Sequence, residues 1–389
     1  MSADRPFGVY VHIPFCRARC DYCAFATFTD RDHLMEAYAA ACVVELTRAR
    51  AEEALPPATS VFFGGGTPSR LPPDLLVAIL DAVPRRPGAE VTVECNPEDA
   101  HPALLAAYRA AGVTRISLGV QSTVPHVLAG LGRRHGTARA VEAARAVAEA
   151  GFESWNMDLI IGGSGETDAD WSRSLGDVLG LESPPPHLSA YSLTVEPGTP
   201  LAAAPDRHPD DDVQAGRYEE ADRVLVDHGY RWEEISNWAK PGHRCRHNGL
   251  YWDQGDYRGI GSAAHSHARG RRWWNVRTPD RYVAAIEAGH PVLSGEEVLT
   301  DEQRRFEALA LALRTPAGVP LACLPDRPDL VGLVDRSTGR AVLTVRGRLL
   351  ANAVSARLIS DDPVAATGDG DTGLVVAVTG AAGTIAPHA

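Results

Sequence analysis

The sequence predicts an α/β protein whose strands form a parallel sheet, doubly wound or curved into a barrel, followed by a smaller, mostly helical domain. Two patterns predict it. Short β-branched apolar runs alternate about six times with longer stretches whose apolar residues recur three and four apart. After about residue 280 that rhythm stops. In order, strands are expected at 7–13, 60–63, 90–94, 115–120, 155–161 and 187–193, and helices at 32–51, 73–83, 102–111, 137–150 and 168–180. Such alternation requires right-handed crossovers between parallel strands. Further on, Thr300 and Gln303 form a capping box that opens an amphipathic helix to about residue 314, and 349–359 reads as another. The division is therefore a core over 1–278, a winged-helix-like or helical domain over 279–362, and a low-complexity, poorly ordered Gly/Ala/Thr-rich tail over 363–389 with one apolar run at 374–378.

Charge narrows the function. With 38 basic against 50 acidic residues the formal net charge is 38 − 50 = −12, and no basic run offsets it, so a nucleic-acid partner is not expected. The opening residues lack a positive segment followed by an apolar stretch, and nowhere do about 18 apolar residues run together, which reads as cytoplasmic and soluble. An odd count of 7 cysteines there argues against a disulfide framework. The thiols are left for metal, catalysis or packing.

The unusual residues lie just after strands, where parallel α/β folds bind ligands. Strand one runs into Cys16-x-x-x-Cys20-x-x-Cys23 and strand two into Gly64-Gly65-Gly66-Thr67-Pro68-Ser69. Strand three ends at Glu94, strand four leads to Gln121-Ser122, and strand five carries Asp158 before Gly162-Gly163. With Glu196-Pro197-Gly198-Thr199 after strand six, six such turns point into one cavity. Structural zinc wants a fourth closed ligand, and a c-type haem attachment wants histidine after Cys23, where Ala24 stands. Three thiolates on a [4Fe–4S] cluster leave one iron open to a ligand, and this reading is preferred to zinc or free thiols. Among the acceptors, Glu94 and Asp158 suit ribose hydroxyls or an ammonium group, Arg133 suits a carboxylate, and Gly65, Gly66 and Thr67 let backbone approach a ligand.

These motifs resemble the radical S-adenosylmethionine (SAM) superfamily, in its oxygen-independent coproporphyrinogen III oxidase-like branch. The resemblance rests on Tyr10-x-His12-Ile13-Pro14-Phe15-Cys16-x-x-x-Cys20-x-Tyr22-Cys23 and continues through Leu118-Gly119-Val120-Gln121-Ser122, Asn156-x-Asp158-Leu159-Ile160 and Ser189-Ala190-Tyr191-Ser192-Leu193. It implies a partial (β/α)6 barrel, a cluster on Cys16, Cys20 and Cys23, and SAM contacts at Tyr10, Tyr22, Gly65, Gly66, Thr67, Glu94, Gln121, Arg133 and Asp158. One departure is Ser164, where the superfamily branch usually shows proline.

Within the branch, coproporphyrinogen dehydrogenases usually carry another cysteine two residues after the third ligand, where this chain has Phe25, and a long amino-terminal segment, where only 15 residues precede Cys16. Both differences, with His247-Asn248-Gly249-Leu250-Tyr251-Trp252, resemble the HemW group of haem chaperones. That resemblance implies haem as cargo, haemoproteins (respiratory, membrane-associated ones included) as acceptors, an electron donor if SAM is cleaved, and a homodimer. Decarboxylation of coproporphyrinogen is not the implied activity, although it remains the competing enzyme hypothesis. A haem site needs an axial donor, a flat apolar slot and cations for propionates. His247 is the first choice of donor, with Asn248, Tyr251 and Trp252 beside it, and His265 is an alternative occupant of the SAM pocket. Cys42, Cys95 and Cys323 are expected to be packing residues.

Overall fold

The structure is a computed structural model and describes residues 5–52 and 54–359. Six strands, β1 (Phe7–Ile13), β2 (Ala58–Gly65), β3 (Arg85–Cys95), β4 (Arg115–Gln121), β5 (Ser154–Ile161) and β6 (His187–Ser192), are parallel and adjacent in chain order. Helices α1 (Met35–Ala51), α2 (Pro73–Ala82), α3 (Pro102–Ala110), α4 (Pro125–Gly130), α5 (Thr137–Glu149) and α6 (Asp168–Leu179) connect them. Consecutive order decides between the two expected architectures. A doubly wound sheet reverses its strand order part-way, whereas a barrel wall does not.

The wall stays open. After β6 come α7 (Asp211–Asp227), β7 (Arg231–Glu234), β8 (Asn237–Ala239), α8 (Arg246–Trp252), β9 (Asp256–Ile260), β10 (His265–Ala268), β11 (Arg271–Asn275), α9 (Pro279–Glu287) and β12 (Leu293–Val298). The 12-stranded sheet runs β12-β11-β10-β9-β1-β2-β3-β4-β5-β6-β8-β7, so β12 and β7 are unjoined edges. None of the segments 211–227, 231–239 and 256–298 belongs to the expected rhythm. Their strands are short and lean on Trp, Arg and His rather than on alternating Val and Ile, so their period is lost.

The predicted strands extend at their ends. β3 begins at Arg85, across Pro87 and Gly88, because Arg85 pairs with Ala58 through a register shift that sequence pattern does not reveal. Side chains alternate along each strand. Val9, Val11 and Ile13 of β1 enter the apolar layer under the helices, while Tyr10 and His12 face the interior of the wall.

The carboxyl-terminal part opens as expected on the capping box: Gln303 N donates to Thr300 Oγ1 at 3.2 Å and Thr300 N to Gln303 Oε1 at 2.8 Å. Helix α10 (Asp301–Leu313) packs on a three-stranded antiparallel sheet of β13 (Val319–Pro320), β14 (Val334–Asp335) and β15 (Arg340–Leu343), with Leu313, Leu324, Leu343 and Val354 in its apolar centre. The helix expected over 349–359 is instead two short ones, α11 (Val345–Leu349) and α12 (Ala351–Ser355), interrupted at Leu350 with ψ near 24°. Thr344 caps the start of α11 by accepting from Gly347 N, and a Cβ at Gly347 would sit 1.9 Å from Leu333 O, so glycine is required there. The tail at 363–389, with its run at 374–378, lies outside the described residues. Among the described residues no helix is long and apolar enough to cross a membrane.

Candidate functional site

The inner face of the wall is stratified by register. Gly8, Ser60 and Glu90 lie toward the amino ends of β1 to β3, and Tyr10, Gly64 and Glu94 toward the carboxyl ends. Helix α8 fills the lower layer. A Cβ at Gly8 would come 2.6 Å from Leu250 Cδ1 and 3.0 Å from His247 Cε1, so glycine there is what lets the helix lie on the sheet. Glu90 anchors its first turn by accepting from Arg246 N and His247 N, each at 3.0 Å. A carboxylate at a helix start meets unpaired N–H groups and the positive end of the dipole. With the floor in place, the upper layer encloses a cavity of about 430 Å³.

Cys16, Cys20 and Cys23 line one end of this cavity. Their loop is tied down where Cys16 N donates to Phe28 O at 3.0 Å and Phe28 N to Pro14 O at 2.8 Å. Thr67 Oγ1 lies 3.4 Å from Cys16 Sγ, and Arg133 Nη1 reaches Cys20 Sγ at 3.6 Å. Burial pushes the Cys16 thiol up to about 11, partly countered by Thr67, and Cys20 and Cys23 add smaller upward contributions. Among the described residues no three His, Cys, Asp or Glu side chains converge on a single-metal site. A cubane does not require that convergence, because each of its thiolates binds a different iron. Three thiols round one cavity end, with a cation beside them, are a donor set that fits a [4Fe–4S] cluster.

The other expected SAM contacts line the same cavity: Tyr10, Tyr22, Gly65, Gly66, Thr67, Glu94, Gln121, Arg133 and Asp158. The N–H groups of Gly65, Gly66 and Thr67 are already bonded, to Glu94 Oε2 at 3.1 Å, Ile13 O at 2.8 Å and Phe15 O at 2.9 Å. This turn can therefore serve a ligand only through acceptors, which suits an ammonium group. Gly65 also has φ +110°, and a Cβ would strike the His12 ring at 2.4 Å, so glycine is required even without a ligand. Arg133 is fixed by Asn96 Oδ1 at 2.9 Å and Gly119 O at 2.8 Å.

Two carboxyls share the centre. Burial, then the charge of Asp158, raises Glu94 to about 8. Burial also raises Asp158, countered by hydrogen bonds including one from Asn156 Nδ2 at 2.6 Å. Gln121 holds a left-handed φ of 73° where the β4–β5 register shifts, an arrangement that turns its side chain and costs on the order of 1 kcal/mol. Arg133 Nε is buried at the cavity without a hydrogen-bond partner among the described residues. Such an atom calls for a polar ligand.

The motif at 247–252 is placed differently from expectation. His247 is 1% exposed, and its ring bonds on both sides, Nδ1 with Ser60 Oγ and Nε2 with Tyr251 Oη, each at 3.0 Å. It stacks on Phe62 and does not line the cavity. In this arrangement neither nitrogen is free for iron, because the ring serves to seat α8. Tyr251 does face the cavity, while Asn248 and Trp252 are half-buried on the same helix and do not line it. Cys245 is buried against Glu90, 3.6 Å away, and its thiol is pushed up to about 12. Tyr191, Tyr257 and Arg277 also line the cavity, and sequence reasoning assigned them no role. Tyr191 was discoverable from its position at the end of a strand; Arg277 follows an antiparallel strand and carries no such signal.

Comparison with known proteins fits this geometry. The radical SAM superfamily profile matches residues 10–178. Heme chaperone HemW of Mycobacterium tuberculosis is 42% identical over 373 residues, covering 91% of this chain and 95% of that protein. The chain belongs to the HemW family within the radical SAM superfamily. The Escherichia coli Heme chaperone HemW is 36% identical, covering 78% of this chain and 79% of its own length. Coproporphyrinogen III oxidase (HemN) from Escherichia coli, a radical SAM enzyme, superposes with a TM-score of 0.77 over 91% of this chain and 90% of its own, at 22% identity, which shows a common fold. Membership in the superfamily implies a [4Fe–4S] cluster and SAM for this HemW-family chain.

Proposed function

We propose that this protein is a haem chaperone, binding haem and passing it to acceptor haemoproteins from a radical SAM core. The observation that carries the reading is identity of 42% along 91% of the chain to a Heme chaperone HemW. Phe25 supports it, since an apolar ring lines the cavity where the coproporphyrinogen dehydrogenases usually place a thiol.

In this reading Cys16, Cys20 and Cys23 hold the cluster and the residues from Tyr10 to Asp158 hold SAM. A cluster held by those three thiols would supply an electron to the SAM sulfonium. The chain supplies the setting. Arg133 offers a fixed cation to a carboxylate, Glu94 and Asp158 offer acceptors, and the α8 floor keeps water from below. Of the α8 residues, Tyr251 faces the cavity, with His247 behind it and Asn248 and Trp252 on the same helix outside the cavity. The core expected over residues 1–278 extends through β12, because α9 packs in its apolar layer and β12 pairs with β11, so the appended domain begins at α10 rather than at 279. Seven free cysteines suit a reducing, cytoplasmic compartment. An electron donor and a homodimer belong to the same proposal.

Anaerobically reconstituted protein should take up haem and release it to a haem-free acceptor while leaving coproporphyrinogen III unchanged in the presence of SAM and reductant. Formation of protoporphyrinogen IX without haem uptake would replace the chaperone by the enzyme.

A further inference from the structure

The cavity has a second wall, away from the thiols, built by β9, β10 and the segment before α9, where Tyr257, Ala263, His265 and Arg277 face inward. Two histidines line the cavity, and they differ. His12 is engaged on both ring nitrogens, with Tyr10 Oη at 3.1 Å and Ala26 O at 3.0 Å. His265 makes no hydrogen bond through either ring nitrogen among the described residues; its ring rests on Trp274, with centroids 5.6 Å apart and planes 24° apart. Burial, then the neighbouring His12 and Arg272, lowers its pKa to about 4, so the imidazole is neutral near pH 7 and keeps a lone pair.

The backbone aims this ring. Gly261 and Ala263 take φ of +96° and +55° in the β9–β10 turn. A Cβ on Gly259 would lie 2.1 Å from His265 O, so the two strands are pressed together at the histidine. Arg277 stands on the same wall, exposed, with no ion pair among the described residues, and its charge is felt at His12.

We infer that His265 is the axial donor to haem iron and that Arg277 pairs with a propionate, so that haem enters the mouth of the SAM cavity rather than the site of His247. The inference rests on the haem-chaperone reading. A neutral, unbonded imidazole and an unpaired guanidinium on one wall match the two chemical ends of the cargo: a metal wanting nitrogen and a carboxylate wanting a planar cation. His247 meets neither condition.

Ferric haem titrated into the full-length, cluster-loaded protein tests this, with absorbance for affinity and electron paramagnetic resonance for the axial ligand. His265→Ala should raise Kd at least tenfold and remove the imidazole-ligated signal, and added free imidazole should restore that signal in the vacated space. Arg277→Gln should raise Kd severalfold, keep the signal, and erase the preference for haem over its dimethyl ester. Wild-type affinity and an unchanged signal in His265→Ala would overturn the assignment, as would loss of the imidazole signal in His247→Gln alone. Wild-type protein that takes up no haem would instead remove the chaperone reading itself.

Discussion

Glu94 and Asp158 show what burial does to two carboxyls that share one cavity. Both were legible in the sequence as acceptors at strand ends; their mutual burial was not, because it depends on β3 and β5 curving round one space. The folded protein holds Glu94 with a pKa of about 8, above its ordinary value of 4.5. Between those values the folded state binds more protons than the unfolded one, so stability falls as pH rises from about 4.5 through 8. Glu94→Gln keeps an acceptor for Gly65 N and removes the titration. The ligand-free variant is expected to lose less stability between pH 5 and pH 9 than the parent, by a few kcal/mol and at most about 4, in urea denaturation at the two pH values. Parallel losses would show that Glu94 is already relaxed by water. His247 teaches the converse lesson: sequence identified an imidazole in a distinctive motif, and contacts with Ser60 and Tyr251 made it a packing group.

Helix α8 is the element on which the cavity depends. Its seven residues are too few to be stable alone, so tertiary contacts must hold it. Glu90 does so through two backbone N–H groups and is itself 5% exposed. Glu90→Ala leaves those donors unsatisfied and is expected to lower stability by about 2 kcal/mol, measured by chemical denaturation, and to make Tyr251 accessible to solvent quenchers. A loss under 0.5 kcal/mol would mean that Leu250 and His247 suffice. Sequence could not mark α8, since about two turns carry too few residues to show a period. The five connecting helices with clear three-and-four spacing were legible within one to three residues at their ends, as was the capping box before α10. The single helix expected at 349–359 is instead broken at Leu350, whose φ of −110° and ψ of 24° leave the helical region, a break that apolar spacing does not announce.

Across the whole molecule, the carboxyl-terminal segment packs on the barrel through Val342, Val345 and Leu349 and through one buried cation. Arg348 donates to Asp222 Oδ1 at 2.6 Å and lies 3.8 Å from the Trp232 ring centroid, bridging α11 to α7 and the β7 edge. Arg348→Ala is expected to cost about 1–2 kcal/mol and to expose the segment around residue 300 to limited proteolysis while the cluster content stays unchanged. An unaltered digestion pattern would place the restraint in Arg272 with Glu307 instead. The sequence by itself determined the six-strand parallel rhythm, the three-thiol loop and the family, because hydrophobic period, ligand spacing and glycine-rich turns are local properties of the chain. Tertiary structure alone decided that the sheet stays open, that a short helix floors the cavity, and which histidine keeps a free nitrogen. Those depend on what meets across distances of tens to hundreds of residues, and a hydrogen-bond partner brought in by folding decides whether a side chain is free to bind anything else.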